Sequence, residues 1–186
     1  MKSIKEEANL DNKKLLLRLD LNVPIIDNKI TDTTRIDKIL PTLEFLINQN
    51  TRIIIISHVG RPKGKIVNEL SLKLICEELS KKLNQNVKLF TKNIKEIDSK
   101  ELFKNSDERV IMLENIRFYP EEEKNNQQFA KHLATLADIY VNDAFSCSHR
   151  AHASIHKITN FLPSYSGLQL DSEVNALKKI TSEIKK

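Results

Sequence analysis

Four short apolar runs in this chain each end abruptly in polar or charged residues, and no other feature narrows the fold as far. Residues 15–19 (LLLRL) run into Asp20 and Asn22, and residues 53–56 (IIII) into Ser57, His58, Gly60 and Arg61. Residues 110–113 (VIML) run into Glu114, Asn115 and Arg117. Residues 139–141 (IYV) run into Asn142 and Asp143, with His149 and Arg150 a few positions on. Residues 87–90 (VKLF) form a weaker fifth run. The runs are continuous rather than alternating, as expected of parallel strands covered on both faces. In an open parallel sheet, ligands bind just beyond the carboxyl ends of the strands. The polar residues that close four of the runs are therefore expected to point at one crevice.

Helical spacing fills the gaps. Ile36, Ile39, Leu40, Leu43, Leu46 and Ile47 form one stripe, which Pro41 is expected to bend or restart. Leu72, Ile75, Cys76, Leu79 and Leu83 form a second, with Asn68 or Ser71 as its cap. Phe129, Leu133 and Leu136 mark a third. Leu170, Val174, Leu177, Ile180 and Ile184 mark a last helix reaching the end of the sequence. The acidic run Glu121-Glu122-Glu123 reads as a solvated first helical turn, where carboxylates suit the helix dipole. Strand–helix alternation at this rhythm predicts an α/β fold of three layers, α/β/α, around a mostly parallel sheet. The chain's 186 residues are enough for one sizeable core.

Composition removes several function classes. A net charge of +5 and a pI of 9.1 admit a nucleic-acid surface or a lysine coat around a pocket for a small anion. Aromatics are only 5%, with no tryptophan, and the lysines are scattered, whereas single-strand binders interleave basic residues with stacking aromatics. No nucleic-acid partner is expected. No apolar run approaches the roughly 20 residues of a membrane span. The start, MKSIKEEANLDNKK, lacks the apolar core of a signal peptide, so a cytoplasmic location is expected and no membrane partner. Cys76 and Cys147 form no CxxC or zinc pattern and are expected to be free thiols.

The crevice has a distinctive content. Arg61, Arg117 and Arg150 sit singly in three separate loops, and Arg35 follows close behind the first run. The planar fork of arginine matches phosphate and carboxylate oxygens two at a time. Arginines converging from different loops suit a small dianion, with Asp20 and Asn22 beside them for a hydroxyl or carboxylate. Each arginine alone also reads as an ordinary ion pair. The loop SHVGRPKG, with Gly60 and Gly64, suits either a ligand turn or a plain strand-to-helix connection. His149, His152 and His156 are spaced to share a helix face, which suits a metal site or a set of buried, orienting histidines. Glycine occurs only at positions 60, 64 and 167, and neither GxxxxGK[ST] nor GxGxxG is present. A nucleotide is therefore expected to be held elsewhere.

RLDLNVP, DNKITDTTRI, SHVGRPKG, LENIRFY and NDAFSCSHRAHAS, in that order, resemble the amino-terminal, phosphoglycerate-binding half of phosphoglycerate kinase, from about residue 13 to residue 179. The resemblance implies a Rossmann-like domain over residues 1–168 and the start of an interdomain helix over 169–186. By the same resemblance, the nucleotide-binding domain is expected to be absent from this sequence. It implies substrate contacts at Asp20, Asn22, Arg35, His58, Arg61, Arg117 and Arg150. Arg61, Arg117 and Arg150, helped by His58, would grip the 3-phosphate. Asp20, Asn22 and Arg35 would face the hydroxyl and carboxyl end, and Arg35 would be catalytic, stabilising the phosphoryl group in flight. It further implies glycolytic phosphoryl transfer between 1,3-bisphosphoglycerate and ADP, and a complete enzyme that is a monomer. Magnesium and ATP or ADP would be bound mainly by the second domain, with no cofactor or metal held by this chain. The chain alone is expected to bind 3-phosphoglycerate and to be inactive. Ser146-Cys147-Ser148 stands where the family usually has a glycine-containing stretch, which bears on where Arg150 is placed. Leu74 stands at a position often filled by proline, with no consequence for function. Two other readings of the residues are a stand-alone binding domain for a phosphorylated acid and a metal protein built on the three histidines.

Overall fold

The computed structural model describes residues 2–105 and 107–184. In chain order the elements are β1 (Lys2–Ser3), β2 (Lys14–Leu19), β3 (Ile25–Ile26), β4 (Lys29–Ile30), α1 (Thr34–Asn48) and β5 (Arg52–Ile56). Then come α2 (Lys73–Leu83), β6 (Val87–Phe90), β7 (Val110–Leu113), α3 (Pro120–Glu123), α4 (Gln127–Ala134), β8 (Ile139–Asp143), β9 (Ser164–Ser166) and α5 (Leu168–Ile184). Seven strands form one sheet in the order β1-β9-β8-β2-β5-β7-β6, and every neighbouring pair is parallel. Strands β3 and β4 form a separate antiparallel hairpin, turned by Asp27 and Asn28, both at positive φ as such a tight turn demands.

Side-chain alternation along the strands builds two cores. Leu15, Leu17 and Leu19 of β2, with Ile53 and Ile55 of β5, pack against Ile36, Ile39, Leu43 and Leu46 of α1 and Ile75 and Leu79 of α2. Leu16, Ile54, Ile56, Ile111, Leu113 and Tyr140 face the other way, against Phe129, Ala130 and Leu133 of α4. The sheet is thus covered on both faces, giving the three layers read from the sequence. Each buried aliphatic side chain contributes about 1.5–3 kcal/mol relative to exposure.

Local expectations fare unevenly. Helix α1 runs through Pro41 without a break in its assignment. Ser71, rather than Asn68, serves the start of α2: its Oγ accepts from the Lys73 backbone N–H at 3.2 Å, while Asn68 opens a short 3-10 turn. The acidic run does form a first turn, but it is not solvated throughout, because Glu122 is fully buried. The apolar stripe of α5 is covered only near its start: Leu170 is buried, whereas Leu177 and Ile180 are 51% and 53% exposed. Lys185 and Lys186 lie outside the described residues.

One carboxylate fastens the end of β8 to α5, and Asp171 of α5 accepts in turn from Ser3 of β1 and Ser166 of β9. Asp143, at the end of β8, is buried and accepts from the Thr42 hydroxyl of α1 and, at 2.8 Å, from the Leu170 backbone N–H. Gly167 approaches so closely that a Cβ there would stand 2.3 Å from the Asp143 Cγ.

Candidate functional site

Strand β2 lies between β8 and β5, and the chain leaves β2 toward β5 but leaves β8 toward β9. This divergence opens a crevice at the carboxyl ends of the strands. A cavity of about 280 Å³ lies there, lined by Asp20, Asn22, Arg35, His58, Gly60, Arg61, Arg117, Ser146, Cys147 and Arg150. All seven substrate contacts named from the sequence face this one space, supplied by the loops after β2, β5, β7 and β8 and the first turn of α1. An adjoining cavity of about 320 Å³ shares Asp20, Arg35 and Ser146 and extends to Lys38, Gln169 and Glu173. Arg35 stands at the boundary of the two.

The loops are held by local chemistry. Gly60 and Gly64 have φ of +63° and +72°, a conformation that strains any residue with a Cβ. Added Cβ atoms would meet Leu70 at 2.6 Å and Pro120 at 2.9 Å. Asn22 Oδ1 accepts from the Gly60 N–H at 2.9 Å, tying the β2 loop to the β5 loop. Asn115 donates through Nδ2 to the carbonyls of Val59 and Leu70 at 2.9 and 2.8 Å. Glu114 accepts from the Ser71 hydroxyl and the Leu72 N–H. Asn142 donates to Ser148 Oγ at 3.1 Å. Glu114, Asn115 and Asn142 therefore brace the loops rather than face the crevice, and Asp143 lines only the adjoining cavity, a correction to the reading of all strand-end polar residues as site residues. His149 is exposed and does not line the cavity either.

The arginines are short of protein partners. Arg117 is 4% exposed, yet its guanidinium makes one hydrogen bond, from Nη1 to the Gly60 carbonyl at 3.2 Å. Among the described residues its Nε has no hydrogen-bond partner, and the Glu123 carboxylate is 3.9 Å away. Arg150 Nε is likewise buried and unpartnered. Arg61 sits exposed at the rim. Burial first, and then the charge of Arg150, push the Arg117 pKa down. Cations left uncompensated in a closed space form a site for an anion. At the other end, Asp20 accepts from both the Arg35 guanidinium and the Ser146 hydroxyl. Ser146, the first residue of the Ser146-Cys147-Ser148 stretch, thus has a partner. No positive φ occurs over residues 146–148, and Arg150 still reaches the cavity.

His58 is 3% exposed and neutral. Its pKa falls to about 2, through burial first and then the charges of Arg18, Arg117 and Arg150. Beneath it lie residues that sequence reasoning missed. Arg18 is fully buried and donates to Ser154 Oγ at 3.1 Å, to the Leu19 carbonyl and to His58 Nδ1 at 3.1 Å. Ser154 in turn donates to Glu122 through its hydroxyl at 2.6 Å and its N–H at 2.9 Å. Burial raises the Glu122 pKa, against the pull of Arg18 and Ser154. A charge inside a run as apolar as LLLRL was the available signal for Arg18.

The three histidines do not converge. His152 is buried near Glu122, with 3.8 Å between Nδ1 and Oε1, while His156 is exposed and bonded to Asn125 at 3.1 Å. Residues 150–156 form turns rather than an α-helix, so the helical spacing never places them on one face. Among the described residues, Asp20, His58 and Cys147 offer ligand atoms within 4.8 Å of one another. They do not fit magnesium, which wants hard oxygen donors. The Asp20 carboxylate is taken by Arg35 and Ser146, His58 Nδ1 by Arg18, and the surroundings are cationic.

Comparison with known proteins agrees with this geometry. Residues 5–186 match the family described as phosphoglycerate kinase. The phosphoglycerate kinase of Wolbachia pipientis wMel is 52% identical over 177 residues, covering 95% of this chain and 44% of that protein. That of Moorella thermoacetica is 42% identical over 179 residues, covering 96% and 45%. The structure of phosphoglycerate kinase from Coxiella burnetii superposes with a TM-score of 0.85 at 40% identity, over 95% of this chain and 44% of that one. The chain therefore spans under half the length of the relatives it matches. A parallel sheet with an arginine-lined crevice at its switch point, and a match running from residue 5 to residue 186, place this chain in the phosphoglycerate kinase family.

Proposed function

We propose that this chain is the amino-terminal, phosphoglycerate-binding part of a glycolytic phosphoglycerate kinase acting in the cytoplasm. The observation that carries the reading is the set of arginines from three separate strand-end loops that share one 280 Å³ cavity and have almost no protein partners. A phosphate monoester, with a charge of about −1.5 to −2, supplies what they lack. Arg61, Arg117 and Arg150 grip the 3-phosphate, and His58 donates to it. Asp20, Asn22 and Arg35 meet the hydroxyl and carboxyl end.

Phosphoryl transfer between an acyl phosphate and ADP needs alignment and charge stabilisation more than proton abstraction. The site suits this: it is rich in arginine and its one imidazole is held neutral. Arg35 stands between the two cavities, paired with Asp20. To stabilise the moving phosphoryl group it exchanges that carboxylate for phosphoryl oxygens. The nucleotide supplies or accepts the phosphoryl group. It and magnesium are assigned to a second domain of the same enzyme, whose partner surface includes the uncovered stripe of α5.

Calorimetric titration of the purified chain with 3-phosphoglycerate tests the assignment. Stoichiometric binding that weakens with salt is expected, together with no ATP turnover. Failure to bind at millimolar ligand, or ATP hydrolysis by the chain alone, overturns it.

A further inference from the structure

We propose that Glu122, Ser154 and Arg18 are positioning residues that fix His58 in a single tautomer, with its Nε2–H as a neutral donor into the anion cavity. The proposal rests on the phosphate reading of that cavity for its functional meaning, but not for its geometry.

The hydrogen bonds that Arg18 makes have only one possible direction. A guanidinium carries donors and no acceptor. Arg18 Nη2 lies 3.1 Å from His58 Nδ1, so Nδ1 must accept and the single proton of the neutral ring must sit on Nε2. Arg18 itself has no freedom to turn. Its Nη1 donates to the Leu19 carbonyl, its Nε donates to Ser154 Oγ at 3.1 Å, and the side chain is fully buried in a rigid planar fork. Ser154 Oγ accepts from Arg18, which can only donate, and directs its own hydrogen to Glu122 Oε1 at 2.6 Å. Glu122 is anchored twice more, by the Ser154 N–H to Oε2 at 2.9 Å and by the Ala153 N–H to its backbone carbonyl at 2.9 Å. The chain of contacts thus runs from carboxylate through hydroxyl and guanidinium to imidazole, across α3, the segment after β8, strand β2 and the loop after β5.

The groups facing His58 reinforce the lock. Arg18 approaches from β2, Arg117 from the loop after β7, and Arg150 and His152 from the loop after β8. The Asp20 carboxylate and the Cys147 thiol lie within 4.8 Å. A second proton on the ring would break the bond from Arg18 and add a cation among arginines. Orientation therefore matters more than charge: the imidazole offers one hydrogen to the ligand, in a direction set from below. Across neutral pH, ligand binding should follow the ligand's own second phosphate ionisation, near 6, with no step from His58.

Long-range 1H–15N correlation spectra of the ligand-free chain test this directly. Wild type should show His58 with protonated Nε2 and bare Nδ1, unchanged between pH 5.5 and 8.5. Arg18→Met should release the ring to both tautomers, while burial and the charges of Arg117 and Arg150 still keep it neutral. Ser154→Ala, which keeps Arg18 but removes its Nε anchor, should mix the tautomers and weaken 3-phosphoglycerate binding about fivefold, the scale of one neutral hydrogen bond. Should Arg18→Met not fold, the wild-type spectrum still decides the tautomer. A protonated Nδ1, or a His58 that titrates near neutrality in wild type, overturns the proposal. Unchanged tautomer and affinity in Ser154→Ala overturns the relay. A locked ring in a protein that does not bind 3-phosphoglycerate sustains the lock and instead removes the phosphate reading.

Discussion

Replacing Arg117 with methionine should make the ligand-free protein more stable while weakening its grip on phosphate. Arg117 is 4% exposed, and its guanidinium has one hydrogen bond of 3.2 Å, an unpartnered Nε and a carboxylate no nearer than 3.9 Å. Arg150 and Arg18 add like-charge repulsion, which with burial lowers the Arg117 pKa. The folded apo state therefore carries an under-compensated cation. Exchanging such a charge for an apolar side chain of similar length is often neutral or favourable by about 1–4 kcal/mol. Loss of a charge-assisted bond to phosphate costs about 1.5–3 kcal/mol of binding. Taking about 2 kcal/mol, affinity falls roughly 30-fold. Ligand at 100 times the wild-type Kd stabilises wild type by about 2.7 kcal/mol, and the same concentration stabilises the variant by only about 0.9 kcal/mol. Urea unfolding with and without 3-phosphoglycerate reads both quantities on the same samples. If Arg117→Met lowers apo stability by more than about 1 kcal/mol, the side chain is a structural member of the fold and the reasoning fails. Equal ligand stabilisation in the two proteins removes the phosphate contact.

Gly167→Ala should destabilise by about 2–4 kcal/mol in urea titrations, combining overpacking against Asp143 with partial loss of the α5 cap; a change below about 0.5 kcal/mol would show that Asp143 moves aside freely. Glu108→Gln removes the 2.8 Å pair with Lys88, which holds the Glu108 pKa down. A carboxylate lowered on folding adds stability above its unfolded value and loses it as pH falls through the folded one. The variant should therefore be up to about 1 kcal/mol less stable at pH 7 and equal to wild type once both states are protonated. Cys147, which lines the anion cavity, should react with iodoacetate and be protected by 3-phosphoglycerate. Cys76, buried and pushed up to about 12, should stay unmodified; peptide mass spectrometry reads both.

Five of the seven sheet strands were legible because each carries an apolar run, and the two that were not, β1 and β9, read KS and SYS. Their pairing depends on partners far apart in sequence, Lys2 beside Tyr165 and Ser3 beside Ser166, so no local pattern could announce them. The seven site residues could be named because each belongs to a motif that follows a strand end or opens α1. What lay beneath them could not. Glu122 is indistinguishable in sequence from Glu121 and Glu123, yet Glu121 pairs with Lys95 at the surface while Glu122 is buried. The difference is set by where residues 150–154 pass, a tertiary matter. Similarly, Glu114, Asn115 and Asn142 share the strand-end position of cavity residues, and only the loop paths decide which side chains turn inward.

The Asp143 carboxylate does more than end a strand. It is a rivet through three parts: β8, whose loop carries Arg150, the Thr42 position of α1, and the first turn of α5 at Leu170, with Gly167 leaving no slack between them. A crank joined this way has no lost motion. Torque applied to the exposed far end of α5 would turn the end of β8 before it loosened the helix, and the cavity wall that Arg150 supplies would feel the load first. The cavity wall at Arg150 and the exposed end of α5 are, mechanically, one piece.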